Sequence, residues 1–361
     1  MENGTEYLKA GVEPLLQWYE THRRPLPFRD APTPYRVWIS EIMLQQTRIE
    51  AVLPRYEAFL RALPTVQALA EVSEEALLKL WEGLGYYSRA RYLRQAAQQM
   101  MQQYGGELPA DFAALRALPG IGDYTAGAIA SIAYGIAVPA VDGNVLRVLA
   151  RLLCYREDVL QGKPRAYLSR VAAALVPEDR PGMFNEAVME LGETVCLPNG
   201  EPKCDVCPLG GLCAARREGC AAQLPVRIPK TKRRTERRTV FVVVSDERPA
   251  RVLLHRRPET GLLAGLWELP NFEGEEAEAA LQRECPLQVL DRAPLPAARH
   301  LFSHITWEMT GIRLTVPPPA ALPDGYLWAG AEALTEQYAL PSAFRAYAGS
   351  LPDQLRGAAA T

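Results

Sequence analysis

The chain has 361 residues, enough for two or three ordinary domains, and its 48% hydrophobic and 23% charged side chains exclude a disordered or collagen-like polymer. Formal charge is 40 − 42 = −2, so the chain as a whole is no polycation, yet residues 227–238 (RIPKTKRRTERR) hold seven basic residues against one acidic. Such a strip binds phosphates or serves as a solvated linker, and the two readings are compatible. There is no charged-then-apolar leader and no apolar run near 18 residues, so secretion and membrane insertion are not expected. A cytoplasmic location is, beside the nucleoid if the source is prokaryotic.

Residues 6–225 are helix-rich in pattern. Tyr35–Thr47 (YRVWISEIMLQQT) carries Val37, Ile39, Ile42, Met43 and Leu44 at spacings that suit a buried helical face. Glu41 lies in this run, one turn before Gln45. A single Glu in an amphipathic helix is ordinarily a surface charge. Packed among Trp38, Ile39, Ile42, Met43 and Leu44, it would instead have a pKa raised by desolvation and become an acid usable near neutral pH. Ser73–Leu84, Ala90–Tyr104 and Asp123–Tyr134 show similar spacing, with punctuation at Pro64, Gly83, Gly85, Gly105–Gly106 and Pro119.

Leu118–Asn144 (LPGIGDYTAGAIASIAYGIAVPAVDGN) reads as a tight turn between two helices. Gly120 and Gly122 give backbone freedom and Pro119 fixes the approach. The turn leaves bare amides where the helix from Asp123 begins, an anion site that a DNA phosphate fits; an ordinary helix–helix turn is the plainer alternative. Asp142 opens the helix Gly143–Leu153, either as a simple N-cap or as a second working carboxylate. Two carboxylates beside such a hairpin suggest cleavage of a glycosidic bond, one acid protonating the leaving group and the other stabilising an oxocarbenium-like transition state.

Of seven cysteines, Cys196, Cys204, Cys207 and Cys213 follow C-x7-C-x2-C-x5-C. Four thiolates in one short loop need a metal centre, and zinc and a [4Fe–4S] cluster both use four cysteines, so spacing alone does not separate them. Cys154 reads as core, and Cys220 and Cys285 as idle. Residues 226–238 form the linker. Beyond it Thr239–Val244 and Arg251–His255 are β-branched runs, with further strands expected at Leu266–Pro270, His304–Thr310 and Ile312–Val316, and a short helix from Leu334 to Leu340. Residues 239–345 are thus an α+β domain. Residues 346–361 are a tail, its end Arg356–Thr361 read as disordered.

Seven segments together carry a family resemblance: TPYRVWISEIMLQQT, GLGYYSRARYL, LPGIGDYTAGAI, VDGNVLRVLAR, FNEAVMELG, the cysteine loop with its CPLGGLC, and LFSHITWEM. Residues 6–225 resemble the MutY-type adenine DNA glycosylases of the endonuclease III, helix-hairpin-helix superfamily, and 239–345 resemble that family's C-terminal Nudix-like domain. The implied fold is multidomain: an all-α helix-hairpin-helix glycosylase domain with an iron–sulfur loop over 196–213, then the α+β domain. The implied cofactor is a [4Fe–4S] cluster on Cys196, Cys204, Cys207 and Cys213, although the family usually leaves six residues between the first two cysteines and this chain has seven. The implied activity is monofunctional removal of adenine mispaired with 8-oxoguanine or guanine in base excision repair.

The resemblance also implies roles. Glu41 protonates adenine N7 and later handles the water. Asp142 stabilises, or briefly bonds to, the sugar C1′, Asn144 orients Asp142, and Tyr124 hydrogen-bonds near that aspartate. Arg29 and Glu186 contact the extruded adenine. Gln46 and Tyr86, with Thr47 and Leu84 beside them, fill and wedge the duplex, while Gly120 and Gly122 belong to the DNA-binding hairpin. Plain core aromatics at Tyr86–Tyr87 and a helix cap at Gln45–Gln46 are the alternatives. Tyr124 stands where bifunctional relatives place a Schiff-base lysine.

In GEEAEAALQRECPLQ, from Gly274, Arg283-Glu284 is followed by Pro286-Leu287 instead of the acidic pair of a Nudix metal box, so nucleotide hydrolysis is not expected. Phe302, Ser303 and His304 match the loop that senses 8-oxoguanine. The implied partner is double-stranded DNA with A:8-oxoguanine or A:G mispairs, met by a monomer, with repair-protein contacts through the 226–238 linker. Two rivals stand: a pyrimidine-directed relative, and a non-catalytic DNA-binding protein with a zinc loop.

Overall fold

A computed structural model describes residues 6–228 and 233–357; part of the basic strip (229–232) and the last residues of the tail (358–361) lie outside it. The chain divides into two compact units, Met1–Glu71 with Tyr92–Pro229, and Val72–Arg91 with Lys230–Thr361. No helix is long and apolar enough to cross a membrane among the described residues.

The first unit is helical. The helices Val12–His22, Gly143–Leu152, Gly162–Leu175 and Pro181–Thr194 bury one continuous core that includes Leu15, Leu16, Tyr19, Leu149, Leu168, Phe184 and Leu191. The helix Pro34–Leu44 starts on Thr33, whose hydroxyl accepts from the Arg36 amide, with Pro34 in the first turn where its missing N–H costs nothing. Every residue from Val37 to Met43 is buried, so the stretch around Glu41 has no solvent face to give a charge. It ends at Leu44 rather than Thr47, because Gln46 turns into the left-handed region (φ 57°).

Asp123–Ala128 is α-helical and then widens into a π-helical turn over Ile129–Ala133. The Ser131 hydroxyl donates to the Gly127 carbonyl, and the Asn185 amide donates to Ser131 Oγ and to the Val138 carbonyl while accepting from the Ala140 amide. Asn185 therefore staples the loop that leads into Asp142. The loop lies so close that a Cβ on Gly127 would sit 2.2 Å from the Pro139 carbonyl oxygen.

The second unit is a mixed seven-stranded sheet: β1 (Arg234–Ser245), β2 (Val252–Arg256), β3 (Trp267–Glu268), β4 (Asn271–Glu273), β5 (Asp291–Leu301), β6 (Ile305–Val316) and β7 (Tyr326–Ala329). The order is β3-β2-β1-β6-β5, with β4 also paired to β1 and β7 to β2; β1 and β6 are parallel. Alternate residues of β1 face two cores. Val240, Val242 and Val244 pack toward Phe344, Tyr347 and Leu351, and Phe241 and Val243 toward the helix Ala277–Glu284. A strand covered on both faces reads as an unbroken apolar run, which is why TVFVVV shows no alternation.

Several expectations are corrected. β1 begins at Arg234, inside the segment read as linker, and the tail region holds the helices Arg345–Ala348 and Leu351–Gly357. The two strands expected on either side of Gly311 are one, and Gly311 is needed there because a Cβ would meet the Tyr347 ring at 2.4 Å. Strand β5 is absent from the sequence reading because Pro294 and Pro296 mask it; it is an edge strand, where proline is tolerated, and its register shifts between Leu295 and Ala298.

Gly127→Ala is expected to destabilise the protein by about 3 kcal/mol, since backbone must move to admit the methyl. Gly162→Ala, where a Cβ meets nothing within 4 Å, should stay within about 0.5 kcal/mol. Equal melting temperatures for the two variants would contradict the close approach.

Candidate active site

Within the first unit, a pocket of about 890 Å³ is lined by the segment 24–29, the helix Pro34–Leu44 and the turn after it, the hairpin Gly120–Gly122 with the helix after it, the start of Gly143–Leu152, and one face of Pro181–Thr194. Glu41, Asp142, Tyr124, Asn144, Arg29, Gln46, Thr47, Gly120, Gly122 and Glu186 all line it.

Glu41 is only 7% exposed, which settles its character as an interior group rather than a surface charge. Burial pushes its carboxyl up to about 7, the nearby Asp142 and Glu186 charges add to the rise, and the Tyr124 hydroxyl donates to it and opposes the rise. Tyr124 was expected to hydrogen-bond near Asp142; the acceptor of its hydroxyl is Glu41, and the Asp142 charge acts on both groups. A carboxyl with this environment keeps its proton near neutrality and can deliver it. Asp142 is an N-cap in full: Oδ1 accepts from the Val145 amide at 2.8 Å, and Oδ2 from Asn144 Nδ2 at 2.7 Å. Burial raises its pKa, against those hydrogen bonds. The cap fixes the carboxylate at the mouth of the helix, so capping and pocket function are not alternatives here.

Arg29 faces Glu186 (3.7 Å) and Glu190 (2.8 Å), and Arg24 holds Glu190 from the other side at 2.7 Å. Burial works against the Glu190 charge, but the two guanidiniums overcome it and hold its carboxyl below the ordinary range. Glu186 receives less help, and burial raises it. Glu190, Glu193, Gln45 and Met189, which also line the pocket, were missed by the sequence reading. The signal was present in part: Glu186, Glu190 and Glu193 recur at the spacing of one helix face.

Arg147 and Arg151 were also missed. Arg147, 3% exposed, donates to Asn144 Oδ1 (2.7 Å), the Gly192 carbonyl (2.8 Å) and the Cys196 carbonyl (2.7 Å). Arg151 donates to Cys196 Sγ at 3.2 Å and to the Leu197 and Leu224 carbonyls. The four cysteines of the loop line one small cavity with Arg151, Lys203 and Arg216. Burial raises the Cys207 thiol to about 11, and the other three sulfurs add to the rise as like charges. Four such donors around one cavity fit a cationic centre, which would offset their mutual repulsion.

In the second unit, Phe302–Ser303–His304 forms the turn between β5 and β6. Phe302 is anchored edge-on against Trp307 (4.9 Å), whereas Ser303 and His304 are exposed. The Tyr86 hydroxyl shares a hydrogen bond of 2.5 Å with Ser303 Oγ, and the Tyr86 ring is 46% exposed, so it is not a core aromatic. Leu84, by contrast, is buried. Among the described residues, only Gln46, Tyr86, Cys154 and Leu263 are non-glycine residues with positive φ. Such strain persists where the side chain's position matters, and two of the four are the residues assigned to wedging. In the segment from Gly274, Glu278 pairs with Arg292 and Glu284 accepts from Tyr326, so these acids are already engaged by protein partners.

Residues 39–174 match the HhH-GPD superfamily of base excision DNA repair proteins, and residues 239–349 match the NUDIX domain. Adenine DNA glycosylase of Homo sapiens is 37% identical over 95% of this chain and 75% of its own length, and that of Buchnera aphidicola subsp. Acyrthosiphon pisum is 31% identical over 87% and 88%. This chain belongs to the adenine DNA glycosylase family. Among solved structures, a thermostable thymine-DNA glycosylase superposes with a TM-score of 0.53 at 28% identity, covering 58% of this chain and 96% of that one. An endonuclease III in complex with DNA superposes at 0.51 and 22% identity, over 60% of this chain and 97% of that one, a likeness of fold. The protein is a base excision repair glycosylase, with the helical and NUDIX-like domains of its family.

Two predictions test this glycosylase's pocket. The folded state holds the Glu41 proton up to about pH 7 against an ordinary value of 4.5, so this group's contribution to stability is greatest below 4.5 and declines as pH rises through 7. Glu41→Gln removes the buried ionisation and should be the more stable protein at pH 8, by up to about 3 kcal/mol, with the advantage shrinking toward pH 5. A variant less stable than the parent at pH 8 would mean that the anion is accommodated. Arg147→Lys keeps the charge but cannot span Asn144 and the Cys196 carbonyl together; a loss of about 1–3 kcal/mol in chemical denaturation is expected.

Proposed function

We propose that this enzyme removes adenine opposite 8-oxoguanine, and opposite guanine, as a monofunctional glycosylase that extrudes the adenine from the duplex. The observation that carries the reading is the pairing, in one pocket, of a buried carboxyl with a pKa near 7 and a second carboxylate fixed by a helix N-cap and Asn144. Adenine is shielded in the stack, so it must leave it, at a cost of a few kcal/mol that wedge residues offset. Gln46, Thr47 and Tyr86 are the candidates for that task, with the buried Leu84 packed beneath Tyr86's turn, and the hairpin amides at Gly120 and Gly122 for a phosphate.

In the pocket, the protonated Glu41 donates to N7 of adenine, the N-glycosidic bond breaks with its electrons going to the base, and the Asp142 carboxylate stabilises the positive sugar. Asn144 holds Asp142 in register. Arg29 and Glu186 position the base. The emptied Glu41 then takes a proton from the attacking water. Tyr124 supplies no amine, which favours an abasic product over strand cleavage. Ser303 and His304, exposed above an anchored Phe302, suit hydrogen bonding to an oxidised purine edge, as in the family this chain resembles.

The four-cysteine loop suits a [4Fe–4S] cluster. Among the described residues no three of those four sulfurs lie within 4.8 Å of one another, whereas sulfurs on one tetrahedral zinc are about 3.8 Å apart. The cluster would order the loop carrying Lys203, Arg216 and Arg217, and take no part in the bond cleavage. Double-stranded DNA with A:8-oxoguanine or A:G mispairs is the substrate for a monomer, and the basic strip around Arg227 and Arg233 is a surface for phosphates or repair proteins.

The test is single-turnover base release from duplexes with A opposite 8-oxoguanine, G, C or T. Release is expected only opposite the first two, falling about tenfold per pH unit above 7 as Glu41 loses its proton. Asp142→Asn should lower the rate by a factor of at least about 10² while DNA binding persists. Release from T- or C-containing mispairs in place of adenine would favour the pyrimidine-directed relative. An efficient covalent adduct trapped by borohydride would overturn the monofunctional reading.

A further inference from the structure

Three cysteines lie outside the four-cysteine loop, and the sequence reading assigned Cys154 to a helical core and left Cys220 idle. The structure corrects both. Cys154 is half-buried, past the end of Gly143–Leu152, and its Sγ lies 3.2 Å from Cys220 Sγ and 3.1 Å from Glu218 Oε2. Their ligand atoms all fall within 4.8 Å of one another, in the one group of three or more such atoms found among the described residues. Cys285, by contrast, is buried in the second unit's core.

Two helix ends build this group. At the end of Gly143–Leu152 the Tyr155 amide donates back to the Ala150 carbonyl (2.7 Å), with Cys154 in the left-handed position between. At the end of Ala214–Arg217 the Cys220 amide donates back to the Ala215 carbonyl (2.9 Å), with Gly219 left-handed between. These are matching C-terminal turns. One uses glycine where the backbone asks for it, and the other places a cysteine at a φ of 50° that glycine would adopt at less strain. Glu218 and Cys220 flank the glycine of the second turn, so both reach toward Cys154. Ala215, Ala221 and Leu224 back the two sulfurs with apolar surface, while Glu218 stays exposed.

We propose that Cys154, Cys220 and Glu218 form a second metal site, separate from the four-cysteine loop, that holds one zinc-class divalent ion with a fourth position open to water. Two thiolates select a borderline-soft d¹⁰ ion over Mg²⁺ or Ca²⁺. Binding releases the two thiol protons to solvent. The sulfurs need to separate only from 3.2 Å to about 3.8 Å to span a tetrahedral ion. Two thiolates and a carboxylate carry −3 against +2. Arg156, whose Nη2 lies 3.0 Å from Glu218 Oε2 and 3.9 Å from Cys220 Sγ, supplies the remaining positive charge. The ion would tie the helix that starts at Asp142 to the segment that follows the cysteine loop.

The experiment uses the full-length protein as purified with its iron, reduced and then freed of reductant. Zinc uptake is measured against a chromogenic zinc chelator, and cadmium uptake by thiolate-to-metal ultraviolet absorption, in the native protein, Cys220→Ser and Glu218→Gln. Expected is one equivalent more tightly bound zinc in the native protein than in Cys220→Ser at equal iron content, and affinity at least about tenfold weaker in Glu218→Gln. Zinc taken by the four-cysteine loop would appear in all three proteins and cancel, so failure of the cluster reading is distinguishable from failure of this one. If Cys220→Ser loses iron, Glu218→Gln, which keeps both sulfurs, decides. Equal zinc affinity in native protein and Glu218→Gln, equal uptake in native protein and Cys220→Ser, or a thiol count showing Cys154 and Cys220 joined as a disulfide after isolation, would each overturn the assignment.

Discussion

The helix Gly143–Leu152 carries the constraint on which the rest of the catalytic unit depends. Its first residue is capped by Asp142, and its buried face carries Arg147 and Arg151, one turn apart. A buried guanidinium must find acceptors for its donors, and these two find them on Asn144 at one end and on Cys196, Leu197 and Leu224 at the other. The position of the pocket carboxylate and the path of the cysteine loop are therefore fixed by one rigid element. Loosening the loop would leave buried donors unpaired beside the pocket.

The pocket concentrates charge that folding would otherwise avoid. Glu41, Asp142 and Glu186 are all desolvated, and each is pushed toward its neutral form. Glu190 is the exception, because Arg24 and Arg29 neutralise it. The result is a set of carboxyls with different proton affinities within one cavity, which is what separates an acid from an anion in the same site. The helical core beneath supplies the stability that such a site gives up.

The NUDIX-like domain packs its sheet between two apolar layers. The helix Ala277–Glu284 covers one face of the sheet through Ala277 and Leu281. Its acids Glu278 and Glu284 are held by Arg292 and Tyr326. The feature that stands out from this domain is the β5–β6 turn, with a packed aromatic holding two exposed polar residues.

Much of this was legible in the sequence. Local patterns gave the buried helix around Glu41, the glycine hairpin, the aspartate at a helix start and the cysteine loop, because each depends on neighbours within a few residues. The apolar run of β1 announced a buried strand for the same reason. What was hidden depended on partners far along the chain. Strand β5 was invisible because prolines are forbidden only where a neighbour needs their N–H, and which strand lies at an edge is a matter of topology. That the acceptor of the Tyr124 hydroxyl is Glu41, 83 positions away, follows only from the approach of two helices. Arg147, Arg151 and Glu190 looked like ordinary charges until burial paired them. Cys154 and Cys220, 66 positions apart, became neighbours only because two helix ends meet. The sequence by itself determined most of the helices, the buried strand β1 and many of the residues able to do chemistry, since periodicity and turn propensity are local; the tertiary structure alone decided which strands lie at an edge and which of those residues are desolvated and touch, since these follow from long-range packing.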